Sequence, residues 1–333
     1  MAESRSPMRV ALTSTVLGLL VLVGPTVLSS QSASEPGDTT TRLFYTHPAE
    51  KWENALPLGN GRLGAMVFGK TDEEQIQINE DTYWSGGPYT TTVKGGASAL
   101  PEVRRLIFEG NLVEAHRQFG KHLMGYPVEQ QKYQSLGNII LKFDGAGVVT
   151  NYRNALDLDT AVATTSFTRG GMTYRREVFV TPIDQVIVVR LTADAPGAIS
   201  FTAQLRGERN QAHSNYATDY FHMEGLGQDG LIVRGKSADY LGVPGALRYL
   251  SRLKAIRRGG EMRVDGDSLI VKGADEVTLL VGAATNFVNY KDVSGDPDAR
   301  VTATFNAVAS KSFDTIKTAH ITEHQRLFRR ISA

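Results

Sequence analysis

The sequence predicts a mainly β protein: a large antiparallel β-sandwich, or super-sandwich, with short helical insertions and a C-terminal helical segment. Three observations predict it. Strand-like runs follow one another closely through the middle of the chain, and turn pairs such as Gly170-Gly171 and Pro196-Gly197 separate them. No helices alternate with those strands, which argues against a βαβ fold. The last forty residues lose the two-residue period and take up helical spacing.

The elements are read in chain order. Arg5 and Arg9 precede an apolar run from Val10 to Val23, and Gly24-Pro25 breaks it before the small residues Ser29, Ser30, Ser32, Ala33 and Ser34. That is the layout of a cleaved export signal, expected over residues 1–34. The run is shorter than the roughly 20 apolar residues that span a bilayer. Residues 35–42 form a polar linker with Pro36 and Gly37.

Arg62–Phe68 and Glu74–Asn79 flank a charged turn at Lys70-Thr71-Asp72-Glu73 and read as a hairpin. Leu100–Glu109 and Asn111–Leu123 read as helices, the second aligning Leu112, Ala115, Phe119 and Leu123. Strands are expected at Leu136–Phe143, Tyr152–Leu158, Ala161–Thr168, Met172–Thr181, Gln185–Thr192 and Ile199–Arg206, then at Leu231–Lys236, Tyr249–Arg257, Glu261–Asp265, Ser268–Lys272 and Glu276–Ala284. Helices are expected at Ala299–Ala309 and Ser312–Arg330. The stripe Phe313, Ile316, His320, His324, Leu327, Ile331 has no later segment to cover it, so the reading anticipates a missing partner.

Composition narrows the function. The chain has 333 residues, 41% hydrophobic, enough for a substantial core without cross-links. Lys and Arg number 36 against 35 Asp and Glu, which leaves no cationic excess for nucleic acid or an anionic membrane. There is no cysteine, which removes disulfides, a thiolate nucleophile, Cys-ligated zinc and a lipidated cysteine.

Two segments are chemically unusual. Trp52-Glu53-Asn54-Ala55-Leu56-Pro57-Leu58-Gly59-Asn60-Gly61-Arg62-Leu63-Gly64-Ala65 and Asn79-Glu80-Asp81-Thr82-Tyr83-Trp84-Ser85-Gly86-Gly87-Pro88 contain both tryptophans of the chain. Gly59-Asn60-Gly61 reads as a turn with positive φ. Aromatic faces beside Asn, Asp and Glu suit a sugar platform, where rings stack and polar groups bind hydroxyls; buried turn and packing roles suit the same residues. Glu80 and Asp81 make a poor catalytic dyad, because neighbours in an extended segment point to opposite faces. His320-Ile321-Thr322-Glu323-His324 has the zinc-protease spacing H-x-x-E-H, but both histidines share the apolar stripe and a third ligand is lacking, so packing is expected there. The remaining histidines, His47, His116, His122, His213 and His222, show no metal spacing. Neither a metal nor a cofactor is expected.

Those two segments resemble the opening of family 95 glycoside hydrolases. Tyr133-Gln134-Ser135-Leu136-Gly137-Asn138, Leu156-Asp157-Leu158-Asp159-Thr160-Ala161 and Tyr174-Arg175-Arg176-Glu177-Val178-Phe179 agree with later family segments, as do Ala283-Ala284-Thr285-Asn286-Phe287 and the stretch from His320 to Phe328. Ser135 and Asn154 depart from the common pattern. The resemblance implies an amino-terminal β-sandwich followed by a helical linker, an (α/α)6 barrel and a C-terminal β-domain. It implies an inverting exo-α-L-fucosidase, with some members preferring α-L-galactosides, whose acid and asparagine-assisted base lie in the barrel. No catalytic residue is therefore assigned here. Residues 43–292 are expected to be the sandwich and 293–333 the start of the linker towards an absent barrel. Asn60, Arg62, Asn79, Glu80 and Trp84 are the substrate-proximal candidates. The expected partners are a fucosylated or related glycan, met through the full-length enzyme, and the barrel itself, in a secreted or periplasmic protein. The competing reading is a free-standing carbohydrate-binding module using Trp84 with Tyr83 or Tyr89.

Overall fold

The computed structural model describes residues 41–145, 147–209 and 219–331. The signal segment, nearly all of the linker and His213 lie outside the described residues. The architecture is the expected one: two antiparallel sheets face each other, with four short helices.

The first part of the chain forms β1 (Arg42–Tyr45), β2 (Leu56–Gly59), β3 (Leu63–Val67) and β4 (Glu73–Glu80), followed by helices α1 (Gly96–Phe108) and α2 (Leu112–His122). Then come β5 (Gly137–Phe143), β6 (Val149–Asp157), β7 (Val162–Arg169), β8 (Met172–Val180), β9 (Ile187–Ala193) and β10 (Ile199–Arg206). The last strands are β11 (Phe221–Leu226), β12 (Gly230–Lys236), β13 (Arg248–Arg258), β14 (Glu261–Asp265), β15 (Ser268–Ala274) and β16 (Glu276–Thr285). Helices α3 (Pro297–Val308) and α4 (Phe313–Phe328) close the described chain. The expected hairpin is β3–β4, and Ala65 pairs with Ile78 across it.

One sheet has nine strands in the order β1-β6-β7-β8-β9-β16-β13-β12-β11, and the other has seven in the order β14-β15-β10-β5-β4-β3-β2. Three strands escaped the sequence reading, β1, β2 and β11, and all three are sheet edges. An edge strand has one pairing partner and partial exposure, so its apolar pattern is weak. Edge placement also explains how β2 holds Pro57, whose missing N–H breaks no central ladder. Helix α1 starts at Gly96, four residues before the periodic stretch.

The sheets differ in burial. In the seven-stranded sheet β3, β4 and β10 alternate, one face inward and the other partly open. In the nine-stranded sheet β16 is buried without interruption from Val277 to Thr285. Its inner face meets Ile76, Ile139, Phe201 and Val271 in the main core. Its outer face packs with Val188, Ile232 and Leu250 against Val301, Phe305 and Val308 of α3 and Ile316 of α4. Each such side chain taken from water contributes about 1.5–3 kcal/mol. Both helices begin on side-chain caps: Asp296 accepts from the Ala299 N–H and Ser312 from the Thr315 N–H.

One ion pair crosses the core. Glu74 of β4 and Arg176 of β8 are both buried and bonded to each other, so the two sheets share a charge pair.

The helix stripe is not left open. Ile316 and His320 are buried against the outer face of the nine-stranded sheet, and only the last turn, with Leu327, Phe328 and Ile331, stays exposed. The sequence reading missed this because the covering surface lies more than a hundred residues earlier. His320 donates from Nε2 to the carbonyl of Thr160 at 3.0 Å, and His324 donates from Nε2 to that of Leu158 at 2.8 Å. Phe179, His320, His324 and Phe328 stack as a ladder of rings. Glu323 pairs with Arg326, so the three residues of the zinc-like motif are each engaged in packing or surface bonds.

His320 Nδ1 is buried without a partner, which suits a neutral ring with its proton on Nε2. Burial holds its pKa below the ordinary histidine value, and neighbouring His324 and Lys317 add to that. Its folded-state pKa is depressed, so the unfolded chain binds more protons below pH about 6.5. The docking of α4 is therefore expected to be fully stable above that pH and to weaken as pH falls through the folded value. Thermal unfolding between pH 7 and 5 should show a steeper loss in the parent chain than in His320→Gln, which keeps a donor for Thr160. Equal slopes in the two proteins would contradict this.

Candidate functional site

The five candidates sit at one end of the sandwich, where the β2–β3 turn, the end of β4 and the end of β16 meet. They do not form one cluster. Gly61 has φ +91°, as the turn requires, while Gly59 pairs with Gly64 as part of β2. Asn60 accepts from the N–H groups of Arg62 and Leu63 at 2.9 and 2.7 Å and donates to the Thr181 carbonyl at 2.9 Å. It fastens the turn of one sheet to the end of a strand in the other.

Arg62 extends the same fastening. It donates through Nε to Gln185 at 2.7 Å and through Nη1 to the Ala283 carbonyl at 2.7 Å, and lies 3.5 Å from Glu80 Oε1. Glu80 is buried and accepts from the Thr82 N–H at 2.9 Å and the Thr82 hydroxyl at 2.6 Å. Thr82 in turn bonds Thr285 at the end of β16. Burial pushes the Glu80 carboxyl above its ordinary pKa, and Asp81 adds to that; the Thr82 bonds and Arg62 pull it back in part. Asp81 is exposed at the turn, so the adjacent acids face different surroundings, as a dyad would not.

Asn79 and Trp84 face clefts, and different ones. Trp84 donates from its indole to the Asp81 carbonyl at 3.0 Å and meets the Tyr133 ring edge-on at 5.2 Å. It lines a cleft of about 280 Å³ with Thr82, Ser85, Tyr89, Gln131, Phe287 and Tyr290. Among the described residues no carboxylate lines that cleft. Gly86, beside lining residues Ser85 and Gly87, has φ +68°, and a Cβ there would lie 2.7 Å from the Gln131 amide oxygen. Gln131 accepts from the Ser85 hydroxyl at 3.1 Å, and its amide nitrogen is buried without a partner. Asn79 projects from the opposite face of β4 to Glu80, into a second cleft with Trp52 and Tyr133.

Tyr83 is not a platform. It is fully buried, edge-on to Tyr249 at 4.7 Å, and burial raises its pKa. The position next to Trp84 takes it inward, as alternation along an extended segment requires. The sequence reading missed Gln131 and Tyr290 and has Phe287 only within a family segment; all three reach the cleft from distant parts of the chain. Tyr133 had been read only as part of a family segment. Among the described residues no group of three or more His, Asp or Glu side chains is placed to hold a metal ion.

The class that this fold defines is the large antiparallel β-sandwich that opens glycosyl hydrolases. Residues 43–290 match the family model described as "Glycosyl hydrolase family 65, N-terminal domain". The chain is 32% identical over 322 residues to "Alpha-L-fucosidase 2" of Arabidopsis thaliana, a match covering 92% of this chain and 37% of that protein. It is 29% identical over 297 residues to "Probable alpha-fucosidase A" of Aspergillus niger, covering 84% of this chain and 35% of that one. Among solved structures, "Putative kojibiose phosphorylase from human microbiome" aligns with a TM-score of 0.48 at 10% identity, covering 87% of this chain and 38% of that one. The chain belongs to the glycosyl hydrolase family 65 N-terminal domain family, and the curated relatives it matches carry alpha-fucosidase names. It spans between a third and two fifths of the length of these curated relatives.

The Arg62 fastening has a measurable consequence. Arg62→Ala leaves Glu80 buried without its cation and frees the Gln185 and Ala283 acceptors. The expected loss is about 1–3 kcal/mol in urea unfolding at pH 8. Because the raised carboxyl binds a proton more readily in the folded state, that loss should shrink as pH falls towards 5. A variant as stable as the parent at pH 8 would show that the fastening contributes nothing.

Proposed function

We propose that this chain is the amino-terminal part of a secreted or periplasmic α-L-fucosidase, that it does not hydrolyse fucosides by itself, and that its Trp84 cleft borders the substrate of the complete enzyme. In this reading residues 43–292 are the sandwich and 293–333 begin the linker to a catalytic barrel. The curated relatives carry fucosidase names and extend well beyond the matched region.

One observation carries the proposal: a cleft lined by Trp84, Tyr89, Phe287 and Tyr290 with Thr82, Ser85, Gln131 and Asn289, and without a carboxylate. Apolar ring faces together with neutral donors and acceptors suit a deoxy sugar, which presents both hydroxyls and a methyl group. Inverting hydrolysis needs an acid and a base about 6.5–9.5 Å apart across the bond, and this cleft offers neither. Binding and orientation are the roles left to it.

The helical hairpin α1–α2 supports a docked neighbour at the same end. It follows the Trp84 segment, and a Cβ at Gly125, just after α2, would lie 2.7 Å from the Thr91 carbonyl in the cleft wall. Phe108, Leu112 and Val113 are 88%, 63% and 84% exposed on it, a patch of the kind that marks an interface.

Residues 35–333 should release no fucose from a fucosyl-oligosaccharide, and in a full-length homologue the alanine variant at the position matching Trp84 should raise KM or lower kcat without unfolding the protein. Turnover by residues 35–333 would defeat the first part; unchanged kinetics would defeat the second. Export is checked separately: the mature N-terminus, sequenced from expressed protein, should fall between residues 29 and 36, and an intact Met1 in the extracytoplasmic fraction would refute cleavage.

A further inference from the structure

The second cleft lies on the outer face of the seven-stranded sheet, away from the buried side of β4. It measures about 440 Å³ and is lined by Trp52, Phe68, Gln75, Gln77, Asn79, Tyr133, Ser135 and Glu208. Two of its three aromatic rings are open to solvent, Trp52 at 50% and Tyr133 at 39%, while Phe68 is buried. Such rings lose free energy by staying wet, and nothing in the fold requires Trp52 to be there: its short helical turn, Trp52–Asn54, buries none of its residues.

The polar lining is held in place but not used up. Gln75, Gln77 and Asn79 stand at alternate positions along β4, so their amides share one face. Gln75 donates to Asn138 at 2.9 Å and Gln77 donates to Glu208 at 2.9 Å, which orients both amides and leaves their carbonyl oxygens available. The Trp52 indole N–H, the Tyr133 hydroxyl and the Asn79 amide have no hydrogen-bond partner among the described residues. Burial, with Glu80 and Asp81 nearby, pushes the Tyr133 phenol up to about 12, so it stays a neutral donor.

We infer that this outer-face cleft is a saccharide-binding site, separate from the Trp84 cleft, and that it takes a neutral oligosaccharide. Two exposed rings set beside a row of oriented amides match a sugar's alternation of C–H faces and hydroxyl edges. Among the described residues the single charged lining residue is Glu208, which disfavours anionic sugars. The site would hold glycan without cleaving it, because among the described residues Glu208 has no second carboxylate in the cleft with which to flank a glycosidic bond. The inference shares with the proposed function only the choice of a sugar as ligand.

The two tryptophans make the clefts separable, since Trp52 lines one and Trp84 the other and the chain has no more. In a Trp84→Phe chain the emission of Trp52 should change saturably on titration with 2′-fucosyllactose. Gln77→Ala or Asn79→Ala in that background should weaken the apparent affinity about fivefold, the factor one net hydrogen bond supplies. Circular dichroism unchanged from the parent would exclude misfolding as the cause. No saturable change in a folded Trp84→Phe chain would overturn the inference, as would a response unaltered by both amide variants or a preference for an oligogalacturonate. A Trp52→Phe chain reports on Trp84 alone, so the outer cleft can fail while the Trp84 cleft stands, and the reverse.

Discussion

The structure depends on covering both faces of the nine-stranded sheet. Strand β16 lies inside that sheet, between β9 and β13, and is buried along nearly its whole length, so neither of its faces can meet water. The seven-stranded sheet covers one face and helices α3 and α4 cover the other. Close approach is built into the strand: a Cβ at Gly282 would sit 3.1 Å from the Phe305 ring of α3, tighter than ordinary contact. The helices that follow the sandwich are thus part of its core. Arg300 of α3 adds to this by donating to the carbonyls of Thr285 and Phe287, each at 2.7 Å.

The same strand positions the site. At its C-terminal end Ala283 accepts from Arg62, Thr285 meets Thr82, and Asn286 accepts from the Arg248 N–H at 2.7 Å while donating to Val293 at 2.7 Å. These bonds draw the β2–β3 turn, the end of β4 and the 286–293 loop to one place. Trp84 and Phe287 then stand across a cleft whose walls come from both sheets. A loop fixed at both ends to the sheets can present polar groups with little ordering cost. The buried Glu80 belongs to this fastening: its oxygens are engaged by Arg62 and Thr82, and the aromatic clefts lie beyond it.

Charge is distributed in the same spirit. Among the described residues, the one pair buried on both sides, Glu74 with Arg176, ties the two sheets together in the interior, where removing either partner would strand the other. Most other ion pairs lie near the surface, such as Arg105 between Glu102 and Glu109 on α1, and contribute little. The clefts are close to neutral. Their chemistry is that of rings, amides and hydroxyls, which favours ligands that are themselves neutral and hydroxyl-rich.

The sequence by itself determined the fold class, most strands, the β3–β4 hairpin and the change to helix near the end, because period and turn chemistry are local properties. Edge strands β1, β2 and β11 were hidden, since exposed and half-exposed strands lack a clean alternation. It also singled out the Trp52 and Trp84 segments, whose composition is legible without coordinates. Only the tertiary structure decided which of those residues fasten and which face solvent. Asn60, Arg62 and Glu80 look like binding residues in a list of letters, yet their partners Thr181, Gln185, Ala283 and Thr82 absorb much of their bonding capacity. Asn79 and Glu80 are adjacent in the chain but project to opposite faces of one strand, so a single residue step separates an open cleft from the interior. The cover over His320 was invisible for the same reason: its carbonyl partner Thr160 lies 160 residues away in sequence, and only folding brings it to 3.0 Å.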